Sequence, residues 1–349
     1  MKNQIYVSSH NTNTIKQTKS SQHQAKQDIQ NKNAMRFHFS LTKKIITIVL
    51  VITIGYGIVL AIAFSFGGVS FAELDRQILF ELRAPRILMA ILVGALLASS
   101  GVVVQSVFAN PLADPYIIGV ASSATLGAVS AYLLGLSDVY YGILGFISSV
   151  GISLLIFAIG GRKDMSTLLM IGIAISSFLG AFTTFAIYLI GEDSFKITAW
   201  LMGFFGNANW DRVYILCLPT IFCMMYFFSK RLELNIILHG DDEARSLGVN
   251  VGRLKIKLLV VSSLAVGFCV GFSGLIGFVG LIIPHILRLF LRNSNHAIIL
   301  PLSFLLGGLF LLACDSFGRS IWSPIEIPIG AITAFFGAPL FLYLALKRR

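Results

Sequence analysis

The thirty residues 258–287 have the sequence LLVVSSLAVGFCVGFSGLIGFVGLIIPHIL and contain no Asp, Glu, Lys or Arg. An α-helix needs about 20 predominantly apolar residues to cross the hydrocarbon core of a bilayer. The stretch is therefore longer than one membrane span requires and shorter than two full spans. Its topology depends on the charges that flank it.

Basic residues lie on both sides of this stretch. Positively charged loops stay on the cytoplasmic side of a membrane, so the chain must cross and return. We therefore predict two helices, the second of which continues past Pro284 to about Leu291. The glycines of 271–280 allow a tight, irregular turn where protein covers the backbone. The flanking basic residues are Arg253, Lys255, Lys257, Arg288 and Arg292.

The rest of the chain repeats this apolar character. Hydrophobic residues make up 56% of the sequence and charged residues 12%, against about 25% charged in an average soluble domain. We predict an all-α, polytopic membrane protein with about ten transmembrane helices. The other eight predicted spans lie near 45–66, 87–107, 116–135, 140–160, 167–190, 213–229, 297–314 and 327–346.

The distribution of charge sets the predicted orientation. With both termini in the cytoplasm, 21 of the 27 Lys and Arg residues fall on the inner side and nine of the 16 acidic residues fall outside, as the positive-inside rule requires. Residues 1–42 are polar and predict a disordered cytoplasmic tail ahead of a transmembrane domain at 43–349. Since the net charge of +11 is explained by membrane topology, no nucleic-acid partner is predicted.

Two other classes of membrane protein need features that this sequence lacks. A stand-alone secondary carrier places ion-coupling carboxylates or broken-helix ion sites at mid-membrane, and an intramembrane transferase needs paired acidic metal motifs. The sequence also has no Gly-x-x-x-x-Gly-Lys-Ser/Thr phosphate loop. We therefore predict a transport subunit that is not an enzyme and binds no cofactor or metal, with ATP and Mg²⁺ on a partner ATPase.

The largest cytoplasmic loop, 230–257, contains the sequence HGDDEARSLG at 239–248. Acidic residues at 241–243 suit the first turn of a helix, and Gly248 suits the left-handed position that follows a helix end. The pattern predicts a helix of about two turns on the cytoplasmic face. By charge pattern alone, an ordinary solvated loop helix is the favoured interpretation.

Eight sequence blocks occur in a characteristic order and spacing. The chain thereby resembles, over residues 45–349, the iron-siderophore, cobalamin and haem permease family of binding-protein-dependent ABC importers. The blocks are LRAPR at 82–86, GALLASSG at 94–101, NPLADP at 110–115, ARSLG at 244–248, GFVGLIIPHILR at 277–288, Asp315 with Arg319, EIPIG at 326–330 and GAP at 337–339.

This resemblance implies an assembly in the bacterial cytoplasmic (inner) membrane. A second permease copy or a paralogue completes a dimer around a central pathway, within membrane lipid. Two cytosolic ABC ATPase subunits and an extracytoplasmic substrate-binding protein complete the importer. An iron-siderophore complex is the expected cargo, and haem or cobalamin are the alternatives.

The resemblance also implies site residues. The loop helix becomes the ATPase-coupling helix. Arg83, Arg86 and Arg319 are expected to receive glutamates of the binding protein; the alternative is that they snorkel to lipid headgroups or pair with Glu81 or Asp315. The expected coupling residues are Asp242, Glu243, Ala244, Arg245, Leu247 and Gly248.

A pathway or gate role is implied for the stretch between Trp200 and Trp210. Its candidate gate residues are Met202, Phe204 and Phe205. Aromatic residues at this depth also serve as anchors at the membrane interface, and the sequence does not separate the two roles.

Overall fold

A computed structural model of the chain describes residues 40–65, 76–160, 165–322 and 325–346. Most of the predicted tail, the basic residues of the predicted turn at 162–163 and those at 347–349 lie outside these ranges. Backbone packing divides the chain into residues 1–51 and 52–349. In the first unit the described residues are the beginning of an apolar helix, with Ile46 and Leu50 exposed. The second unit contains the remainder of that helix and every other described element.

Every regular element in the described ranges is a helix. Three short elements accompany the α-helices: a π-helix at Ile78–Arg83 and 3₁₀ turns at Pro115–Ile118 and Gly191–Asp193. The α-helices are α1 Ser40–Ser65, α2 Ala84–Val107, α3 Val120–Leu133, α4 Asp138–Gly160, α5 Met165–Ile190, α6 Ser194–Leu201, α7 Trp210–Ser229, α8 Arg231–Ile237, α9 Asp241–Ser246, α10 Val251–Ser273, α11 Val279–Leu291, α12 His296–Ser320 and α13 Ile329–Leu346.

The all-α polytopic fold is confirmed. Within the described ranges, seven helices are long and apolar enough to span a bilayer: α1, α2 with its π-helical extension, α4, α5, α7, α10 and α12. The helices α3, α11 and α13 are apolar but shorter. Because length and composition do not place a helix in a bilayer, the count of ten spans and the cytoplasmic termini stay predictions.

The charge-free stretch 258–287 forms two helices, as its flanking charges predict. Helix α10 ends at Ser273, and α11 runs from Val279 through Pro284 to Leu291. Between them the backbone turns at Gly274, with φ +72°, and at Phe278, with φ +68°. Helices α6 and α8 were not predicted, since they are too short to produce a membrane-length apolar run.

Helix α2 lies at the centre of the bundle. In its most apolar window 83% of the residues are buried within the chain, against 22% for α5. Its small residues let neighbouring backbones approach directly. A Cβ atom on Gly94 would lie 2.3 Å from the Gly307 carbonyl oxygen of α12, and one on Gly101 would lie 1.8 Å from the Gly280 carbonyl oxygen of α11. This is the small-residue packing that joins helices in membranes.

We expect Gly101→Ala to lower the free energy of unfolding by about 1–3 kcal/mol or more, because α2 and α11 must separate to admit the methyl group. Gly151→Ala is the matched control, since a Cβ there meets nothing within 4 Å. Thermal unfolding of the purified chain in detergent measures both. Equal melting temperatures for the two variants would contradict the described packing.

Candidate functional site

Helix α9 carries the predicted coupling residues. It begins with Asp241, Asp242 and Glu243, where the helix dipole favours negative charge. At its end Gly248 has φ +83°, and its N–H donates to Arg245 O at 3.0 Å while Val249 N–H donates to Ala244 O at 3.0 Å. These two bonds form a Schellman motif, so the predicted left-handed position of Gly248 after the helix end is confirmed, while its coupling role stays a prediction. The helix is six residues long, slightly shorter than predicted, because Leu247 and Gly248 form its cap.

One face of α9 is anchored and the other is open. Ala244 is fully buried, and Asp241 pairs with Lys255 Nζ of α10 at 2.8 Å. On the open face Arg245 pairs with Asp242 at 2.9 Å, with both side chains largely exposed. Leu247 is 65% exposed, an apolar side chain on a charged surface. Five of the six predicted coupling residues therefore lie exposed, and the sixth fixes the helix to the chain.

The corner that leads into α8 holds a local ion pair. Lys230 Nζ donates to Glu233 Oε1 at 2.8 Å, and this hydrogen bond raises the pKa of the Lys230 ammonium. Both side chains are about a third exposed, so the pair contributes little stability. Helix α8 is held by its buried residues Leu234 and Ile237 instead.

The N-terminal end of α2, which the charge distribution predicts to face outward, holds an ion-pair network centred on the buried side chain of Asp315. Arg86 donates to Asp315 through Nε and Nη2 at 3.0 and 2.8 Å, and to Glu326 through Nη1 and Nη2 at 2.9 and 3.0 Å. Arg319 Nε lies 3.1 Å from the other Asp315 oxygen. The Asp315 side chain is fully buried, so the network joins α2, α12 and residue 326 through strong, directional contacts.

All three predicted docking arginines are largely buried within the chain. Arg83 donates to the Phe64 carbonyl oxygen and is 4% exposed. The pairing with Asp315, the alternative that the sequence left open, is present for Arg86 and Arg319. Among the described residues, Arg319 Nε and Nη2 make no hydrogen bond with acceptable geometry, although Nε lies within ion-pair distance. The docking role of these arginines stays a prediction.

The predicted gate stretch is clamped by backbone hydrogen bonds. On the side of the α10–α11 turn, Leu275 N–H donates to Leu201 O at 3.1 Å. Phe204 N–H donates to Ser273 O at 2.9 Å. Ile329 and Gly330 N–H donate to the carbonyls of residues 203 and 202, both at 3.0 Å. Residues 201–204 therefore run between that turn and the start of α13.

The three candidate gate side chains have different surroundings. Met202 is exposed, and Phe205 is fully buried. Phe204 lines a cavity of about 360 Å³ together with Tyr132, Tyr141 and Trp200. The centre of its ring also lies 6.0 Å from Cζ of Arg86. The predicted gate thus adjoins the ion-pair network.

Comparison with known proteins identifies the family. Residues 43–347 match the FecCD transport family. The chain belongs to this family. It is a multi-pass inner-membrane protein and a permease subunit of an ABC importer, as the eight sequence blocks predicted.

Individual relatives carry different cargoes. The chain is 37% identical over 285 residues to the hemin transport system permease protein of Yersinia pestis, covering 78% of this chain and 84% of that protein. It is 39% identical over 281 residues to the cobalamin import system permease protein of Halobacterium salinarum, covering 79% and 75%. A solved ABC transporter described as of the metal-chelate type, in an inward-facing conformation, matches with a TM-score of 0.79 and 34% identity, covering 88% of this chain and 99% of that one.

We expect Asp315→Asn to destabilise the chain by about 3–5 kcal/mol, because Arg86 and Arg319 would lose a buried counter-charge. Adding Arg319→Met should recover part of the loss by removing one uncompensated cation. Thermal unfolding in detergent measures both variants. Melting temperatures that fall additively in the double variant would show that the two residues do not interact.

Proposed function

We propose that this permease imports a bulky metal chelate, with an iron-siderophore complex as the first candidate and haem or a corrinoid as alternatives. The observation that carries the mechanism is α9, a short helix anchored on one face and exposed on the other. Two cytosolic ATPases supply energy, and a second copy of the chain or a paralogue completes the pathway. In the proposed cycle no chemical step occurs on the cargo.

The coupling role of α9 rests on its contacts. The ion pair between Asp241 and Lys255 and the burial of Ala244 hold the helix against α10, so a force on its exposed face reaches the bundle. Leu247 projects 65% exposed beside charged neighbours. Protein interfaces commonly place an apolar core inside a polar rim. A cleft in each ATPase is the partner that fits.

We expect Leu247→Asp to abolish copurification of the ATPase with the permease, because it places a charge at the centre of the proposed contact. Asn250→Asp is the matched control: it adds the same charge three residues away and keeps an N-cap for α10, where the Asn250 side chain accepts from Arg253 N–H. If Leu247→Asp bound the ATPase as well as the control, the assignment of α9 would be wrong.

Docking of the binding protein is proposed at the outer ion-pair network. Among the described residues the buried Arg319 Nη2 has no hydrogen-bond acceptor, and a glutamate of the binding protein would supply one once the network opens to it. Arg83→Gln or Arg319→Gln, in variants that keep the wild-type melting temperature, should bind the binding protein more weakly. Arg76→Gln alters an exposed arginine at the same end and is the control. Unchanged affinity in the first two variants would exclude docking there.

The pathway is proposed to pass Met202, Phe204 and Phe205. Since Phe205 is fully buried, it can reach the pathway only if residues 201–204 move from their clamped position. A clamp made of backbone hydrogen bonds can open and re-form as a unit, which suits a gate.

ATP-dependent uptake decides the cargo and the class of transporter. In proteoliposomes that contain permease, ATPase and binding protein, we expect accumulation of a radiolabelled iron-siderophore complex that requires ATP, with haem and cobalamin tested in parallel. The Leu247→Asp complex is the negative control. Uptake driven by an ion gradient without ATP would instead favour a secondary carrier.

A further inference from the structure

One side chain on α8 links the loop 230–257, called here the coupling loop, to the beginning of α12. Asn235 Oδ1 accepts from the backbone N–H of His296 at 2.8 Å and lies 2.8 Å from His296 Nδ1. Its Nδ2 donates to Asn295 Oδ1 at 3.0 Å. The Asn235 carbonyl oxygen lies 3.1 Å from Nδ1 of His239, two residues before α9. This residue therefore connects the approach to α9 with the beginning of α12.

The hydrogen bonds fix the direction of this link. Because Asn235 Oδ1 already accepts from a backbone N–H, it must also accept from Nδ1–H of His296. In the neutral ring, Nε2 is then the acceptor. It lies 2.7 Å from the buried hydroxyl of Ser106 on α2. The side chain of His296 is fully buried, so it joins α8 to α2 without access to water.

The Ser106 hydroxyl keeps an acceptor of its own when it gives up this partner. Its single hydrogen has two possible acceptors, His296 Nε2 and the Val102 carbonyl oxygen one turn earlier, both at 2.7 Å. When α8 and α12 shift, the hydroxyl can return to its own helix and stay satisfied. An unsatisfied buried hydroxyl would cost far more than a changed partner. The contact can thus alternate between two states.

The neighbouring residue extends the link to α11. Gln105 Nε2 donates to the carbonyl oxygens of Gly280 and Leu281 at 3.2 and 3.1 Å. Its Oε1 accepts from Arg288 Nη1. Gly280 is also the residue whose backbone lies against Gly101 of α2. A displacement of Ser106 therefore reaches α11 through both atoms of the Gln105 amide, Nε2 and Oε1.

We propose that Asn235 is a positioning residue for energy coupling, which transmits the displacement of α9 through His296 to Ser106 of α2. This inference rests on the proposed function. It assigns transmission of the α9 displacement to the hydrogen bonds between Asn235 and His296 and between His296 and Ser106. The buried residues Leu234 and Ile237, by contrast, hold α8 in place by packing.

The test uses the complete complex in proteoliposomes and measures ATP hydrolysis and cargo uptake together. We expect Asn235→Ala to assemble and to hydrolyse ATP at the basal rate, with cargo transported per ATP reduced about 2- to 30-fold, the range that coupling-network mutations produce. Asn235→Asp keeps an acceptor for both His296 donors but loses the donor to Asn295 Oδ1, so it should restore part of the ratio. Glu233→Ala, which removes only the local ion pair on α8, should leave it unchanged.

Ser106→Ala supplies an independent variant, because it severs the link at α2 and leaves the loop intact. It should lower the amount of cargo transported per ATP. If Asn235→Ala fails to assemble, Ser106→Ala still tests the proposal. Wild-type transport per ATP in either alanine variant would overturn the proposal, as would a ratio in Asn235→Asp as low as in Asn235→Ala. A wild-type complex without ATP-driven uptake would instead refute the proposed function itself, so the two failures are distinguishable.

Discussion

The contact on which the rest of the structure depends is the backbone-to-backbone packing of α2 against α11 and α12. In a membrane the lipid is as apolar as a leucine side chain, so close approach and polar contacts must hold helices together. Gly94 meets Gly307, and Gly101 meets Gly280, at distances that no Cβ atom could occupy. These two contacts join α2 to two consecutive helices that lie far from it in sequence.

Polar networks secure the two ends of α2. Arg86 holds the end predicted to face outward through Asp315 and Glu326, while Gln105 and Ser106 hold the other through α11 and His296. The first network is ionic and buried, so it is costly to break. The second consists mainly of neutral hydrogen bonds, one of which can change its partner. We therefore infer that the ionic end holds its neighbours in place and that the neutral end accepts the displacement delivered by the coupling loop.

The sequence predicted the structural features that depend on residues close together in the chain. Flanking charges predicted the two helices of 258–287, and the glycine at 248 predicted the Schellman cap of α9. Helix α8 was not predicted, because seven residues are too few to show a helical hydrophobic periodicity. Asp315 and Arg319 are one helical turn apart, so their pairing could be anticipated. The sequence left the pairing of Arg86 with Asp315, 229 positions away, open as an alternative. By contrast, 61 positions separate Asn235 from His296 and no pattern in the sequence links them, so only the folded packing brings these two together.

If the ionic network acts in this way, the outer ends of α2 and α12 stay together while the inner end of α2 takes up the displacement. Double electron–electron resonance in the assembled complex tests this directly, with spin labels at the exposed positions Leu88 on α2 and Phe317 on α12. We expect the same distance distribution in the nucleotide-free and ATP-trapped states, while a label on α9 changes its distance to its counterpart in the second permease. A distance between Leu88 and Phe317 that changes on ATP binding would contradict it.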